Sequence, residues 1–222
     1  MNLKDYIPFW GKLTQEQQEL LERKTLLQRA RKGTVVHNGS EDCLGFLIVV
    51  KGQLRGYTIS EEGKEITLYR MFELDMCLFA ASCIMNSIDF DIIIEAMEET
   101  EYLVIPAPVY QELMKTSLPV SNFTNDLMGS RFSDVMWVMD QVMNKSFDAR
   151  LAAFLIEEMG ITNKKTLNIT HEEAARHLGT AREVVTRMMK YFQHEGFVEL
   201  GRGKVTIINE EKLRETAGDS IR

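Results

Sequence analysis

Hydrophobic and polar positions are ordered most tightly between Thr170 and Lys190, where two short helical patterns meet at a glycine. Thr170 with Glu173, and Thr180 with Glu183, each have the spacing of a capping box, so two helices are predicted to start ten residues apart. Ala174, Ala175 and Leu178 give the first helix a narrow face for close approach, and Gly179 supplies the turn. At about 100° per residue, Val184, Val185, Met188, Met189 and Phe192 fill one arc of the second helix, and Arg182, Glu183, Thr186, Arg187 and Lys190 fill the other. Gly196 ends that helix. Phe197 to Leu200 and Lys204 to Ile208 are then two β-favouring runs around Gly201-Arg202-Gly203, a hairpin with a cation at its tip.

Upstream the period changes twice. Thr14-Gln15-Glu16-Gln17 reads as another capped start, for a helix carrying Leu20, Leu21 and Leu27. From Arg31 to Ile105 short β-favouring runs (Val35-Val36, Leu47 to Val50, Leu54 to Ile59, Ile66 to Tyr69, Tyr102 to Ile105) alternate with glycines, which predicts an antiparallel barrel or sandwich with a turn at Glu61-Glu62-Gly63-Lys64. The acidic residues 95 to 101 read as a solvated turn at a strand edge rather than paired catalytic carboxylates. From Asn122 to Lys145 the period is helical again. Met128, Phe132, Val135, Met139 and Val142 fall at alternating spacings of four and three, the seam of a coiled coil and hence a homodimer interface, while Trp137 and Val138 offer a second apolar face.

Charge sharpens this division. The 222 residues carry a formal net charge of -7, which is unexpected in a chain with a groove-reading helix. All the excess acid lies upstream, with 14 Lys+Arg against 21 Asp+Glu in residues 1 to 147 and 12 against 12 beyond. Residues 176 to 204 hold six cations (Arg176, Arg182, Arg187, Lys190, Arg202, Lys204) against three anions, a basic patch on an acidic body. An arginine can fork onto guanine, a glutamate can accept from cytosine, and a lysine can neutralise a phosphate, so the patch has the chemistry of a reader of double-stranded DNA. Three cysteines are too few for a disulfide framework, and neither a signal peptide nor a run long enough to span a bilayer is present, which points to the cytoplasm and to no membrane. No catalytic triad, Walker loop or metal-spaced histidines occur, so neither an enzyme nor a metal site is expected. His171, His177 and His194 fall in the predicted DNA-binding part and read as solvated surface, with a phosphate contact as the alternative.

The order of parts resembles the CRP/FNR family of bacterial transcription regulators. The resemblance covers nearly the whole chain and rests on Lys32-Gly33, Gly39, Gly52 and Glu62-Gly63-Lys64, on Phe147-Asp148-Ala149-Arg150-Leu151-Ala152, and above all on Arg182-Glu183-Val184-Val185-Thr186-Arg187. It implies an α+β chain with an effector-sensing N-terminal antiparallel β-roll over residues 1–121, a dimerisation helix over 122–146 and a winged helix-turn-helix over 147–222. A homodimer on a palindromic operator follows, with RNA polymerase as a further partner of activators. Arg182, Glu183 and Arg187 would contact base edges, with Thr180, Thr186, Lys190, Arg202 and Lys204 on the backbone. Ala181 stands where a serine is frequent.

The effector site departs from the family's pattern. Cyclic-nucleotide binders have a Gly-Glu pair for the ribose and an Arg-Ser or Arg-Thr pair for the phosphate, where this chain aligns Cys77-Leu78 and Phe90-Asp91. An aspartate repels a phosphate, so cyclic AMP is not expected and the small-molecule effector is another. The N-terminal cysteine cluster of the iron-sulfur members is lacking. Cys77 and Cys83 leave open a thiol redox pair, a haem ligated by Cys77, or two buried small hydrophobes, the last with no cofactor at all. A sensor whose winged module docks protein instead of DNA is the remaining alternative.

Overall fold

The computed structural model describes residues 2–39, 44–78 and 91–221. Its chain divides into two compact units, one of Met1–Thr58 and Leu68–Val135, the other of Ile59–Thr67 and Met136–Arg222. The line between them falls within the central helix, between Val135 and Met136, whereas the boundaries expected from the sequence are 121/122 and 146/147.

In the first unit, β1 (Leu26–Ala30), β8 (Thr100–Ile105), β3 (Phe46–Lys51) and β6 (Met76–Cys77) form one antiparallel sheet in that order. The other sheet has the order β2 (Val35–Asn38), β7 (Ile93–Ala96), β4 (Leu54–Ile59), β5 (Glu65–Met71). Alternation along β3 explains its unbroken apolar run. Leu47 and Val49 face the core between the sheets with Leu54, Tyr69, Met71, Cys77, Ile94, Tyr102 and Val104, whereas Phe46 and Ile48 face a second core with Leu103 and Ile105. That second core is closed by α1 (Gln15–Lys24), α2 (Ala107–Thr116) and the start of α3 (Leu118–Asn144), through Leu21, Tyr110, Leu113 and Val120. The rings of Phe46 and Tyr110 stack at 4.2 Å and 4°.

The predicted strands all form, and Thr14 and Gln17 make the capping box expected of them. Gly63, with φ +77°, sits in the tip turn between β4 and β5, where the amide of Ser60 donates to Lys64 at 2.8 Å. Three expectations are corrected. Leu27 is not on the first helix, which ends at Lys24; it lies on β1, paired with Leu103. The central helix begins at Leu118 rather than Asn122. The acidic segment 95 to 101 is not all solvated, because Glu95 is a buried residue of β7 whose carboxylate meets the Arg55 guanidinium at 3.4 Å across the register. A charge count could not show that an arginine stands directly opposite on the neighbouring strand.

In the second unit, α4 (Phe147–Thr162) begins after a break at Lys145-Ser146 and supplies Leu151, Ala152, Phe154, Leu155 and Ile156 to a core shared with α5 (His171–Leu178), α6 (Arg182–His194) and α7 (Glu210–Ala217). The sheet order is β10 (Val198–Gly201), β11 (Lys204–Ile207), β9 (Thr166–Leu167), the last a two-residue strand without a sequence signal. Among the described residues no helix is long and apolar enough to cross a membrane.

Candidate nucleic-acid interface

The interface is built by helix starts and turns. The Thr170 hydroxyl accepts from the amide of Glu173 at 3.1 Å, and the Glu173 carboxylate accepts from the amide of Thr170 at 2.8 Å, which satisfies two amides at the start of α5. Thr170→Ala should lower the stability of the folded chain by about 1 kcal/mol, measured as a shift in the urea unfolding midpoint. At the other end Gly179 takes φ +67°, a left-handed conformation, and its amide donates to Ala175. An alanine there would be strained in φ and would also crowd Ile66, at 3.1 Å from the added carbon.

Thr180 does not cap the second helix. Its amide donates to the Ala175 carbonyl at 3.1 Å and completes the end of α5, so the chain enters α6 one residue later, at Ala181, with no side-chain cap. Along α6, Val185, Met189 and Phe192 are fully buried and Met188 packs at the core's edge, while Val184 is only partly covered, so the apolar arc is narrower than the wheel implies. Arg182, Glu183, Arg187 and Lys190 are exposed. With Thr186 they line one shallow concavity. A second concavity joins Thr170, His171, Glu172 and Arg182 to Gly201, Gly203 and Lys204 of the wing. Gly201 pairs with Lys204 across a tight turn, which leaves Arg202 and Lys204 exposed at its end.

Two members of the basic segment behave differently from the charge count. Arg176 forms an ion pair with Glu65 at 3.0 Å and is partly covered, so its charge is compensated. His177 bonds the Thr67 hydroxyl at 2.8 Å and lies 5.3 Å from the Phe154 ring, and is not solvated surface. Nor is His171, whose Nδ1 is 3.0 Å from the Thr186 hydroxyl. Burial, then the nearby charges of Arg182 and Lys190, hold its pKa below the ordinary histidine value. Only His194 matches that expectation, exposed at the end of α6.

At the β-roll, Cys77 and Leu78 are both fully buried, but in different cores: Cys77 faces the space between the sheets and Leu78 the helical side. Successive residues of an extended chain point opposite ways, so the pair cannot serve one pocket together. The Cys77 sulfur is 3.6 Å from the Tyr69 hydroxyl. Burial, then the Cys77 thiol, pushes the Tyr69 pKa well above its ordinary value, and Arg131 opposes them. Asp91 is exposed, and Cys83 and Phe90 lie outside the described residues. Arg131 carried no sequence signal. From α3 it donates to Asp134 at 3.0 Å and to the Met76 carbonyl at 2.9 Å, and its guanidinium lies 4.8 Å from the centre of the Tyr69 ring.

The predicted seam of α3 divides. Met128 packs against both cores of its own unit and Val135 is partly covered, whereas Phe132, Met139 and Val142 are 67%, 47% and 47% exposed. Met136 and Met143, outside the predicted set, extend the exposed stripe.

Two short helices joined at a left-handed glycine, an exposed basic face and a hairpin beside it define a winged helix-turn-helix. Residues 149–216 match the Crp-like helix-turn-helix domain. A crystal structure of a transcriptional regulator assigned to the CRP/FNR family, from Eubacterium rectale, is 52% identical, with a TM-score of 0.94 over 96% of this chain and 99% of that one. The fumarate and nitrate reduction regulatory protein of Yersinia pestis is 24% identical, covering 90% of this chain and 80% of its own length. A c-di-GMP responsive regulator from Xanthomonas campestris shares the fold, with a TM-score of 0.72 at 19% identity. The chain belongs to the CRP/FNR family and is a DNA-binding transcription regulator.

Proposed function

We propose that the protein works in the cytoplasm as a homodimer on a palindromic duplex, with α6 in the major groove and the wing against the backbone. The observation that carries this reading is the split of α6 into a face buried in the core and a face on which Arg182, Glu183, Arg187 and Lys190 stand exposed together. Arg182, Glu183 and Arg187 read base edges; Thr180, Lys190, Arg202 and Lys204 hold the backbone. The stripe of Phe132, Met136, Met139, Val142 and Met143 meets its symmetry mate and sets the distance between the two recognition helices. The β-roll receives a signal other than a cyclic nucleotide, which acts only as far as it binds the DNA-competent dimer more tightly than the incompetent one. Cys77, sealed from solvent beside Tyr69, serves as packing rather than as a haem or redox ligand.

A salt titration tests the contact face. Affinity for duplex DNA should fall steeply and linearly on a logarithmic salt scale, and Lys204→Ala should weaken all sequences alike while reducing the slope by about 1 per half-site. A slope near zero, or one that Lys204→Ala leaves unchanged, would remove the wing from the interface.

A further inference from the structure

By packing, Ile59–Thr67 go with the second unit, although the strands they join, β4 and β5, continue into a sheet of the first. Three successive residues at the start of β5 lie along the last turn of α5. The Glu65 carboxylate meets Nε of Arg176 at 3.0 Å, the backbone of Ile66 bridges to Leu178, and the Thr67 hydroxyl bonds His177 at 2.8 Å. Ile66 also closes over the turn between α5 and α6, since a carbon added at Gly179 would lie 3.1 Å from its side chain. In a helix-turn-helix the first helix crosses the phosphate backbone of the duplex. Arg176, in the last turn of α5 and four residues before Thr180, therefore has the charge for a phosphate contact, yet a carboxylate of the hairpin neutralises it.

The rest of the hairpin tip brings acid to the same place. Glu61, Glu62 and Glu65 stand against Lys64, and Lys64 is itself bonded to Glu62 at 2.6 Å. Of the six cations of the basic segment, Arg182, Arg187, Lys190, Arg202 and Lys204 are exposed, and Arg176 is the one partly covered. We propose that the β4–β5 hairpin is an autoinhibitory element, in which Glu65 withholds Arg176 from the phosphate backbone until the hairpin moves. With the Arg176 side chain 36% exposed, the ion pair is a weak tie by itself. The bridge at Ile66 and the bond from Thr67 keep the carboxylate in place, so a shift of β5 that breaks them releases the guanidinium. A signal received by the β-roll thereby reaches the DNA-binding module along one strand, as a change in the number of cations it offers. The proposal rests on the reading above that the helix-turn-helix and wing meet the phosphates.

The test is a double-mutant cycle on the full chain with a random-sequence duplex, read as the slope of log affinity against log salt. Glu65→Gln leaves a hydrogen-bond acceptor without a charge. It should steepen the slope by about 0.9 per bound chain, so that its gain in affinity over the wild type grows roughly threefold per chain between 200 mM and 50 mM salt. Arg176→Gln alone should leave the wild-type slope, because the cation it removes is already neutralised. Glu65→Gln combined with Arg176→Gln should return the slope to the wild-type value. The proposal is overturned if Glu65→Gln leaves the slope unchanged, which would place Arg176 out of reach of the phosphates. It is overturned equally if the gain survives in the double variant, which would make Glu65 act on the DNA directly, or if Arg176→Gln alone flattens the slope, which would mean that the cation is never withheld. A wild-type slope near zero is a separate result, which removes the phosphate interface and this proposal together.

Discussion

Met139→Asp should convert the protein to a monomer in sedimentation and lower its affinity for a palindromic duplex by about two to four orders of magnitude. The size follows from what a dimer does on a two-fold site. Once one half-site is held, the second binding event is intramolecular, and a monomer loses that advantage without losing any contact of its own. Met139 lies mid-way along the exposed stripe from Phe132 to Met143, in which large apolar side chains recur every three or four residues and are only partly covered by their own chain. A carboxylate there would be buried opposite its own symmetry mate, without a cation. Because the position is exposed in the single chain, the substitution should leave each folded unit intact, and a native circular dichroism spectrum beside the sedimentation result confirms that. A variant that still sediments as a dimer would exclude the stripe as the interface. A monomer with undiminished affinity would exclude two-fold binding.

Arg182→Ala should abolish much of the sequence preference while leaving general affinity for duplex DNA nearly intact. A bidentate contact from an arginine to a guanine discriminates by about 1–3 kcal/mol, so binding to a selected duplex should fall by roughly 5- to 150-fold per half-site, with little change on a scrambled one. Arg182 is exposed at the first turn of α6, where both concavities of the interface meet, which leaves its guanidinium free to enter the groove. The measurement is the ratio of affinities for the two duplexes at one salt concentration. A uniform loss on both would assign Arg182 to the phosphates instead.

Much of this was legible in residue spacing, because it depends on interactions a few residues long. The capping box at Thr170, the left-handed turn at Gly179, the exposed and buried faces of α6 and the tight wing hairpin all arise from contacts within one or two turns of chain. The same local logic misplaced the start of α6, since Thr180 could as well finish one helix as begin the next. In the fold the Thr180 amide joins that of Gly179 on the Ala175 carbonyl, at the end of the first helix. Seam periodicity likewise foresaw an apolar stripe on α3, yet it could not tell that Met128 would be covered by the chain's own cores while Phe132 would not.

The linear chain by itself determined the class of the molecule: the elements, the order of its parts, the basic groups of the recognition face and the departure from a cyclic-nucleotide site. Only the tertiary structure decided which polar groups are free to act. Arg176 is paired with Glu65, His177 with Thr67, Glu95 with Arg55, and the hydroxyl of Thr186 lies between Arg182 and His171. Every one of those pairs but the Thr186–Arg182 bond joins residues from different elements. A charge or a hydroxyl is available to a ligand only when no neighbour has already satisfied it, and which neighbours it meets is settled by packing rather than by spacing along the chain.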